Sequence, residues 1–425
     1  FSELSMSTLQ YRAFPRLCLI TTSMLFAAPG KTAELTSWLE LQAKAEFGWV
    51  QHSEQNNILG PWWQHGSGQL AISDDRLTTG PILAALQINT DSPFSARLHL
   101  SQQSALDAAS GITEAWLQYQ PLPIDGYRLK ARAGWFYPAL SLENTDIVWS
   151  SPYTSTFSAI NSWYAEELRA KTLELSLSRP GRSFSSNHSW QGVLGAFRDN
   201  DPLGTLISWR GFAVHNLQTR IGGRIDFAHY PSLQRFPLER QPDWVEPFEE
   251  LDGHTGWYGG LHYLYQQDTE IRLYHYDNQA DPTVLAKGQY AWFNRFNQLA
   301  VQQQLSERWR LVSQWLDGHT EMGFDTVLVD YRAAFVLLNY QQDLWQASVR
   351  YDHWQQWDRD QTVGDDNSGR GHNWTVALQY PLSAQWTLLS EFSRLNSHQA
   401  NRAQWDGWPV QQHFQQLQLI LNWRF

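Results

Sequence analysis

His413-Phe414-Gln415-Gln416-Leu417-Gln418-Leu419-Ile420-Leu421-Asn422-Trp423-Arg424-Phe425 is the last stretch of the chain. Alternate residues from the end, Phe425, Trp423, Leu421, Leu419 and Leu417, are apolar. Arg424, Asn422, Gln418 and Gln416 lie between them, and Ile420 alone breaks the pattern. Side chains alternate across a strand with period two, so one face of this strand is oily and the other is wet. A soluble sheet hides its oily face against a second layer. A transmembrane barrel turns that face to lipid and lets the wet face line a lumen.

Composition favours the barrel. Among 425 residues there are 23 Trp, 17 Tyr and 20 Phe, against 3 Met and 1 Cys. The mean hydropathy of −0.47 excludes a helical membrane protein, which needs apolar runs of about 20 residues. A barrel tolerates such a value because only every second strand residue meets lipid, and it collects Trp and Tyr at the two interfaces. The plain alternative is an aromatic-rich soluble β protein, for example one that binds sugars. The alternating strand that ends on Phe425 resembles the closing strand of bacterial outer-membrane β-barrel proteins. That resemblance implies that Phe425 serves as an insertion signal for the barrel-assembly machinery.

The front end has another style. Arg12 and Arg16 precede Leu17-Cys18-Leu19-Ile20 and Ser23-Met24-Leu25-Phe26-Ala27-Ala28, the basic start, short apolar core and small residues of a secretory signal peptide. Residues 1–30 therefore read as a signal with a few upstream residues, and 31–425 as a single barrel domain. The one cysteine, Cys18, lies in the signal, so a mature chain carries no thiol for disulfides or Cys–metal sites.

Alternating runs recur along the rest of the chain, separated by Gly, Pro, Asp and Asn clusters that read as hairpin turns. They include Leu39–Trp49, Ile82–Asn89, Phe94–Ser101, Ile112–Tyr119, Tyr127–Phe136, Leu168–Ser178 and Trp190–Arg198. Thr205–His215 and Thr219–His229 continue the series, and nine more runs follow to the end. The count is about 18 strands, with 16 as the neighbouring even solution, and Leu70–Arg76 is a weak extra candidate. Short connectors alternate with long ones such as Tyr137–Glu167 and Pro231–Gly253. Short periplasmic turns and long external loops are the layout of a closed antiparallel transmembrane β-barrel.

Function in such a barrel is read from the inward positions. In Tyr127–Phe136 the apolar set leaves Arg128, Lys130 and Arg132 inside. In Phe94–Ser101 it leaves Arg97 and His99 inside, and in Thr219–His229 it leaves Arg220 and Arg224. Arg272, Arg308, Arg310 and Arg350 share that parity. Rows of Arg and Lys on a pore wall favour anions. The plain alternative is that these cations pair with inward acids such as Glu40, Glu46, Asp226, Glu270, Asp352 and Glu391 and brace the wall.

The stretch after the basic strand is too apolar for a loop in solvent. It contains Trp135-Phe136-Tyr137-Pro138, Trp149, Tyr153 and Trp163-Tyr164. Arg132, Gly134, Phe136, Pro138 and Leu142-Glu143 resemble the strand-to-loop passage of the phosphate-selective porin O and P family. Ala139 and Leu140-Ser141 stand where that family has a second proline and Phe-Gly. The resemblance implies a loop folded into the channel, with a constriction over Asp146–Glu167 facing Arg128, Lys130 and Arg132. Its candidate residues are Asp146, Trp149, Tyr153, Trp163, Glu166 and Glu167. The competing reading places these aromatics in an outer girdle.

No nucleophile elbow, metalloprotease helix or phosphate loop occurs, and the net charge of −11 argues against nucleic acid. No cofactor or metal site is expected. The acidic runs Glu246, Glu249, Glu250, Asp252 and Asp358, Asp360, Asp365, Asp366 fall in external loops as solvated surface, where carboxylates also suit divalent cations bridging lipopolysaccharide. The reading is an outer-membrane porin for small hydrophilic solutes, anions among them, with outer-membrane lipid and lipopolysaccharide around it and a homotrimer as a compatible assembly. The alternatives are a non-conducting surface or binding protein and an outer-membrane hydrolase.

Overall fold

The computed structural model describes residues 33–36, 38–53, 68–72, 75–103, 110–406 and 408–425. The signal-peptide reading and most of the loop around Asn56–Gly68 lie outside the described residues. All but two of the alternating runs form wall strands, and each of these strands pairs antiparallel with the next. The first seven are β1 (Leu39–His52), β2 (Arg76–Asn89), β3 (Phe94–Gln102), β4 (Ser110–Tyr119), β5 (Arg128–Phe136), β6 (Ala170–Arg179) and β7 (His188–Arg198). They are followed by β8 (Gly256–Tyr265), β9 (Thr269–Asp277), β10 (Phe293–Gln304), β11 (Trp309–Met322) and β12 (Val327–Gln342). The last four are β13 (Trp345–Asp358), β14 (Gly369–Pro381), β15 (Trp386–Gln399) and β16 (Gln411–Arg424).

The sheet closes on itself. β16 pairs with β15 on one side and with β1 on the other, from Lys44↔Arg424 to His52↔Gln416. A four-residue strand, Ala33–Thr36, pairs with the start of β1 at Ala33↔Leu41. Without that short strand the barrel has 16 strands. Short turns such as 266–268 and 343–344 mark one rim. The long connections 137–169, 199–255, 278–292, 359–368 and 400–410 mark the other. Among the described residues no helix is long and apolar enough to cross a membrane.

Parity along each strand follows the sequence. Leu173, Leu175 and Leu177 of β6 are about half exposed, while Thr172, Glu174 and Ser176 between them are buried. On β16, Leu419 is exposed and Gln416, Gln418 and Asn422 are buried. In a water-soluble sheet this would be upside down. It fits a wall with apolar groups outside and polar groups inside.

The count of 18 is corrected to 16 at one place. Thr205–His215 and Thr219–His229 are not wall strands. Thr205–Trp209 is a short helix, and the chain beyond it is irregular, with a tight turn at Gly222 (φ +67°). Residues 205–215 are all buried, polar Arg210 and His215 among them, so the segment is enclosed on every side and has no lipid face. Ile225–Asp226 pairs only with Trp244–Val245, in a separate two-stranded ribbon. Leu70, in the weak extra candidate, is buried outside any strand.

Gly134 in β5 takes φ +137°, and a Cβ there would sit 2.2 Å from the Ala115 carbonyl oxygen on β4. Only glycine fits without moving the strand pair. Gly134→Ala is expected to lower the stability of the folded barrel by about 1–3 kcal/mol, read as a lower urea midpoint for loss of the heat-modifiable folded band on a gel.

Candidate functional site

Two long segments lie against the buried side of the wall. The first, residues 137–169, contains the helix α1 (Ala159–Glu167). The Ser158 side chain caps this helix by accepting from the Asn161 backbone N–H, the usual role of serine there. Residues 136–138 and 140–144 are buried, as are 148, 150, 151 and 153–169. Most of the segment's polar contacts with the wall run to inward residues of β9–β16, and Arg169 reaches the Thr113 carbonyl on β4 at 3.0 Å. Gln298 on β10 donates to the Leu140 carbonyl at 2.8 Å and accepts from the Tyr164 hydroxyl at 3.0 Å. Gln346 and Gln379 donate to the Pro152 carbonyl. Asp146 pairs with Arg424, near the short-turn end of β16.

The centre of these contacts is a buried charge cluster. Arg350 on β13 is fully buried between Glu143 (2.7 Å) and Asp352 (3.0 Å). It also donates to the carbonyls of Thr156 (2.7 Å) and Phe157 (2.9 Å). Glu391 on β15 accepts from the Ser155 backbone N–H at 2.6 Å and the Thr156 hydroxyl at 2.6 Å. Asp352 accepts from the Ala159 N–H at 3.0 Å, and Glu143 from the Ser158 N–H and the Asn161 amide. Three carboxylates and one guanidinium thus fasten residues 154–159 to the wall. Bracing by ion pairs, one of the two readings of the inward charges, holds for this group and for Arg132–Glu174, Lys44–Glu46 and Arg272–Glu270.

The second segment, residues 199–255, contains the helix α2 (Thr205–Trp209) and packs on α1. Arg210 pairs with Glu166 through both guanidinium nitrogens, and His215 stands 3.3 Å from the same carboxyl. Burial alone would raise the Glu166 pKa, but Arg210 and His215 hold it down to about 2. Next to it, Glu167 accepts from the Leu206 N–H at 3.0 Å and the Trp163 indole at 2.6 Å. Burial, with Glu166 adding to it, pushes the Glu167 pKa up to about 7. Trp163 is ringed by Phe212, Phe296 and Tyr331. Trp163, Glu166 and Glu167 therefore form the packing between the two segments and present no surface to water. Tyr153 is buried beside Arg310, and Trp149 stacks on Tyr137 at 4.1 Å. The hydrogen bonds and ion pairs that residues 140–159 make with the wall come from β9 to β16, and Val148 packs on Leu83 and Ala85 of β2.

The basic residues divide. Arg97, Arg128 and Lys130, on β3 and β5, are partly exposed on the inward parity, and none of them makes a hydrogen bond or ion pair among the described residues. Arg132 pairs with Glu174 at 3.0 Å and lies over the Phe136 ring at 3.6 Å. Arg220 and Arg224 are off the wall. Arg220 is exposed beside a turn, and Arg224 pairs with Asp226 and lies over Trp244. Arg308 is exposed in the turn before β11, donating to the Tyr340 hydroxyl. Phe425 makes reciprocal backbone bonds with Ala43 at 3.0 Å.

In the second segment, Asp201, Glu250 and Asp252 bring carboxylate oxygens within 4.8 Å of one another. Burial, together with Asp252 and Glu250, pushes the Asp201 pKa up to about 7. These carboxylates already accept backbone N–H groups from Leu251, Asp252, Gly253, His254 and Asp281, so the group is a loop brace as it stands. Asp201 was the member that charge runs could not reveal, because it lies far from them in sequence.

Two outcomes follow. Arg350→Met leaves Glu143, Asp352 and Glu391 without their cation and is expected to cost about 3–5 kcal/mol, with faster amide exchange at residues 154–159. A carboxyl whose folded pKa is raised binds more protons folded than unfolded, so its contribution is lost as pH rises towards the folded value. Protection of α1 amides, corrected for intrinsic exchange, is therefore expected to fall as pH rises from about 5 to about 8, and Glu167→Gln is expected to remove part of that dependence.

No protein-family model and no curated protein matches the sequence. Solved structures do. The outer membrane channel DcaP of Acinetobacter baumannii superposes with a TM-score of 0.53 at 8% identity, covering 94% of this chain and 100% of its own. The anion-selective porin from Comamonas acidovorans gives 0.51 at 12% identity, covering 91% of this chain and 99% of its own. OmpF of Salmonella typhi gives 0.51 at 10% identity, covering 91% and 97%. At such identities the likeness establishes the fold: the chain is a closed 16-stranded antiparallel β-barrel of the porin type.

Proposed function

We propose that the protein is an outer-membrane porin through which small hydrophilic solutes diffuse, with a preference for anions. The observation that carries this reading is the imbalance of the inner wall. The carboxylates of β13 and β15 are taken up by Arg350 and by backbone N–H groups, whereas Arg97, Arg128 and Lys130 on β3 and β5 have no partner among the described residues. Unpaired cations beside a water-filled path raise the local anion concentration. Residues 137–169 narrow the lumen, and 199–255 narrow it further. The mechanism is size exclusion with electrostatic bias, and no covalent chemistry is involved. The fold of the neighbours supports a place in the bacterial outer membrane, and a homotrimer fits the same company. One neighbour of the same fold is an anion-selective porin, in agreement with the charge argument.

The burial of both inner segments favours one second reading, a barrel whose lumen is filled and which does not conduct. Planar-bilayer recording separates the two. Single-channel steps with a reversal potential on the anion side are expected under a salt gradient. Arg97→Gln/Arg128→Gln/Lys130→Gln is expected to move that potential towards the cation side. Absence of steps from correctly folded protein, or a cation preference in the parent protein, overturns the reading.

A further inference from the structure

The outward face of β13–β16 changes character at one level. Starting from an aromatic near the short-turn rim, each strand runs through outward positions that are apolar, Ser390 excepted, and reaches a cation, a histidine or an amide eight residues later. The pairs are Trp345 and His353, Tyr380 and His372, Trp386 and Arg394, and Trp423 and Gln415. Eight residues are about 26 Å of strand, or roughly 20 Å of height at the usual barrel tilt, close to the ~25 Å apolar band of such barrels. The polar positions therefore begin where hydrocarbon ends, on the side of the long loops.

Register joins them into rows. His353, His372, Asn396 and His413 are successive Cα partners across the four strands. Arg370 and His398 are partners in the next row towards the loops. The outward positions of these four strands carry no carboxylate at all, in a chain whose net charge is −11. Arg370 and Arg394 are exposed and make no hydrogen bond or ion pair among the described residues. On β11–β13 the same level is neutralised: Arg332 pairs with Asp317, and Arg359 and His319 pair with Asp330. The acids of the loop above β13 and β14, Asp358, Asp360 and Asp366, accept backbone N–H groups of Asp360, Asn367, Leu328, Thr362 and Ser368.

We infer that this face holds the phosphate-bearing headgroup of an outer-leaflet lipid. Arg370 and Arg394 are the main charge contacts, His353, His372, His398 and His413 donate hydrogen bonds, and the acyl chains lie along Val349, Val376, Phe392 and Leu419, all exposed below. The occupant is chosen by charge and height together. A phosphate needs unpaired guanidinium groups, and a lipid phosphate is the anion that stays at the end of the apolar band. This rests on the outer-membrane reading above.

The test uses the folded full-length protein in neutral detergent, titrated with a phosphorylated glycolipid (lipid A) and followed by native mass spectrometry. Dephosphorylated lipid A and inorganic phosphate serve as parallel probes. The parent barrel is expected to retain lipid A and neither parallel probe. Arg370→Gln/Arg394→Gln is expected to bind it about 30-fold more weakly, the effect of removing two cations from a membrane-surface site. Arg332→Gln/Asp317→Asn, on the neutralised side, is expected to bind as the parent does. Folding of each variant is checked by the heat-modifiable gel shift, and Arg370→Lys/Arg394→Lys is expected to restore most of the binding if the folded glutamine variant loses it. Equal retention by parent and glutamine variant overturns the inference. So does a variant that loses self-association while keeping lipid A, because that result assigns the face to a second copy. Failure of the parent protein to enter bilayers at all would instead count against the outer-membrane reading itself.

Discussion

Inside a hydrocarbon layer no water reaches a strand edge, so every peripheral backbone N–H and C=O needs a partner from the chain itself. The pairing of β16 with β1 meets that demand, and much else in the molecule follows from it. Closure fixes which parity faces out, because a one-residue slip would turn every leucine inward and every glutamine into lipid. It also encloses a volume too wide for wall side chains alone to fill. This chain answers the second consequence with its own backbone. Two connections between strands lie against the inner wall, and their burial makes the interior look like the core of a soluble protein, with Trp163, Tyr164, Phe296 and Tyr331 in one cluster.

The inner segments are held by two kinds of force. Around α1 the contacts are mostly apolar and aromatic, with the Glu166–Arg210 pair embedded among them. Around residues 154–159 they are almost entirely polar, to Arg350, Asp352 and Glu391. The wall reflects this division. β13–β15 carry the buried charged groups that hold a strap, while Arg97, Arg128 and Lys130 on β3 and β5 make no hydrogen bond or ion pair among the described residues. Those two facts together make the electrostatic reading of the lumen.

The wall was legible because its two faces meet different solvents, and period-two alternation records that directly. Phe94–Ser101, Tyr127–Phe136 and the final strand lie within a residue or two of where alternation puts them. The same rule fails for Thr205–His215 and Thr219–His229. Residues buried on all sides owe nothing to a two-faced pattern, and any apolar run can imitate a strand. Gly211 and Gly222, both with positive φ in the structure, were the signals against a continuous strand there. Arg128 and Lys130 were readable as inward from parity, whereas the partners of Arg350 were not. Glu143 is 207 residues away from it in the chain, and only the folded path of residues 137–169 brings the two together.

The polar fastening of residues 154–159 has a consequence for how the interior can give way. Bonds from carboxylate to N–H and from guanidinium to carbonyl can be exchanged for bonds to solvent, whereas packed aromatic rings have no such substitute. Under strain, the polar bonds near Thr156 are therefore the ones that can be traded for water, while Phe157 beside them is itself buried against Trp149. Trp163 and its neighbours would stay dry. The interior is thus moored in two ways, by exchangeable polar bonds at residues 154–159 and by packed rings around Trp163.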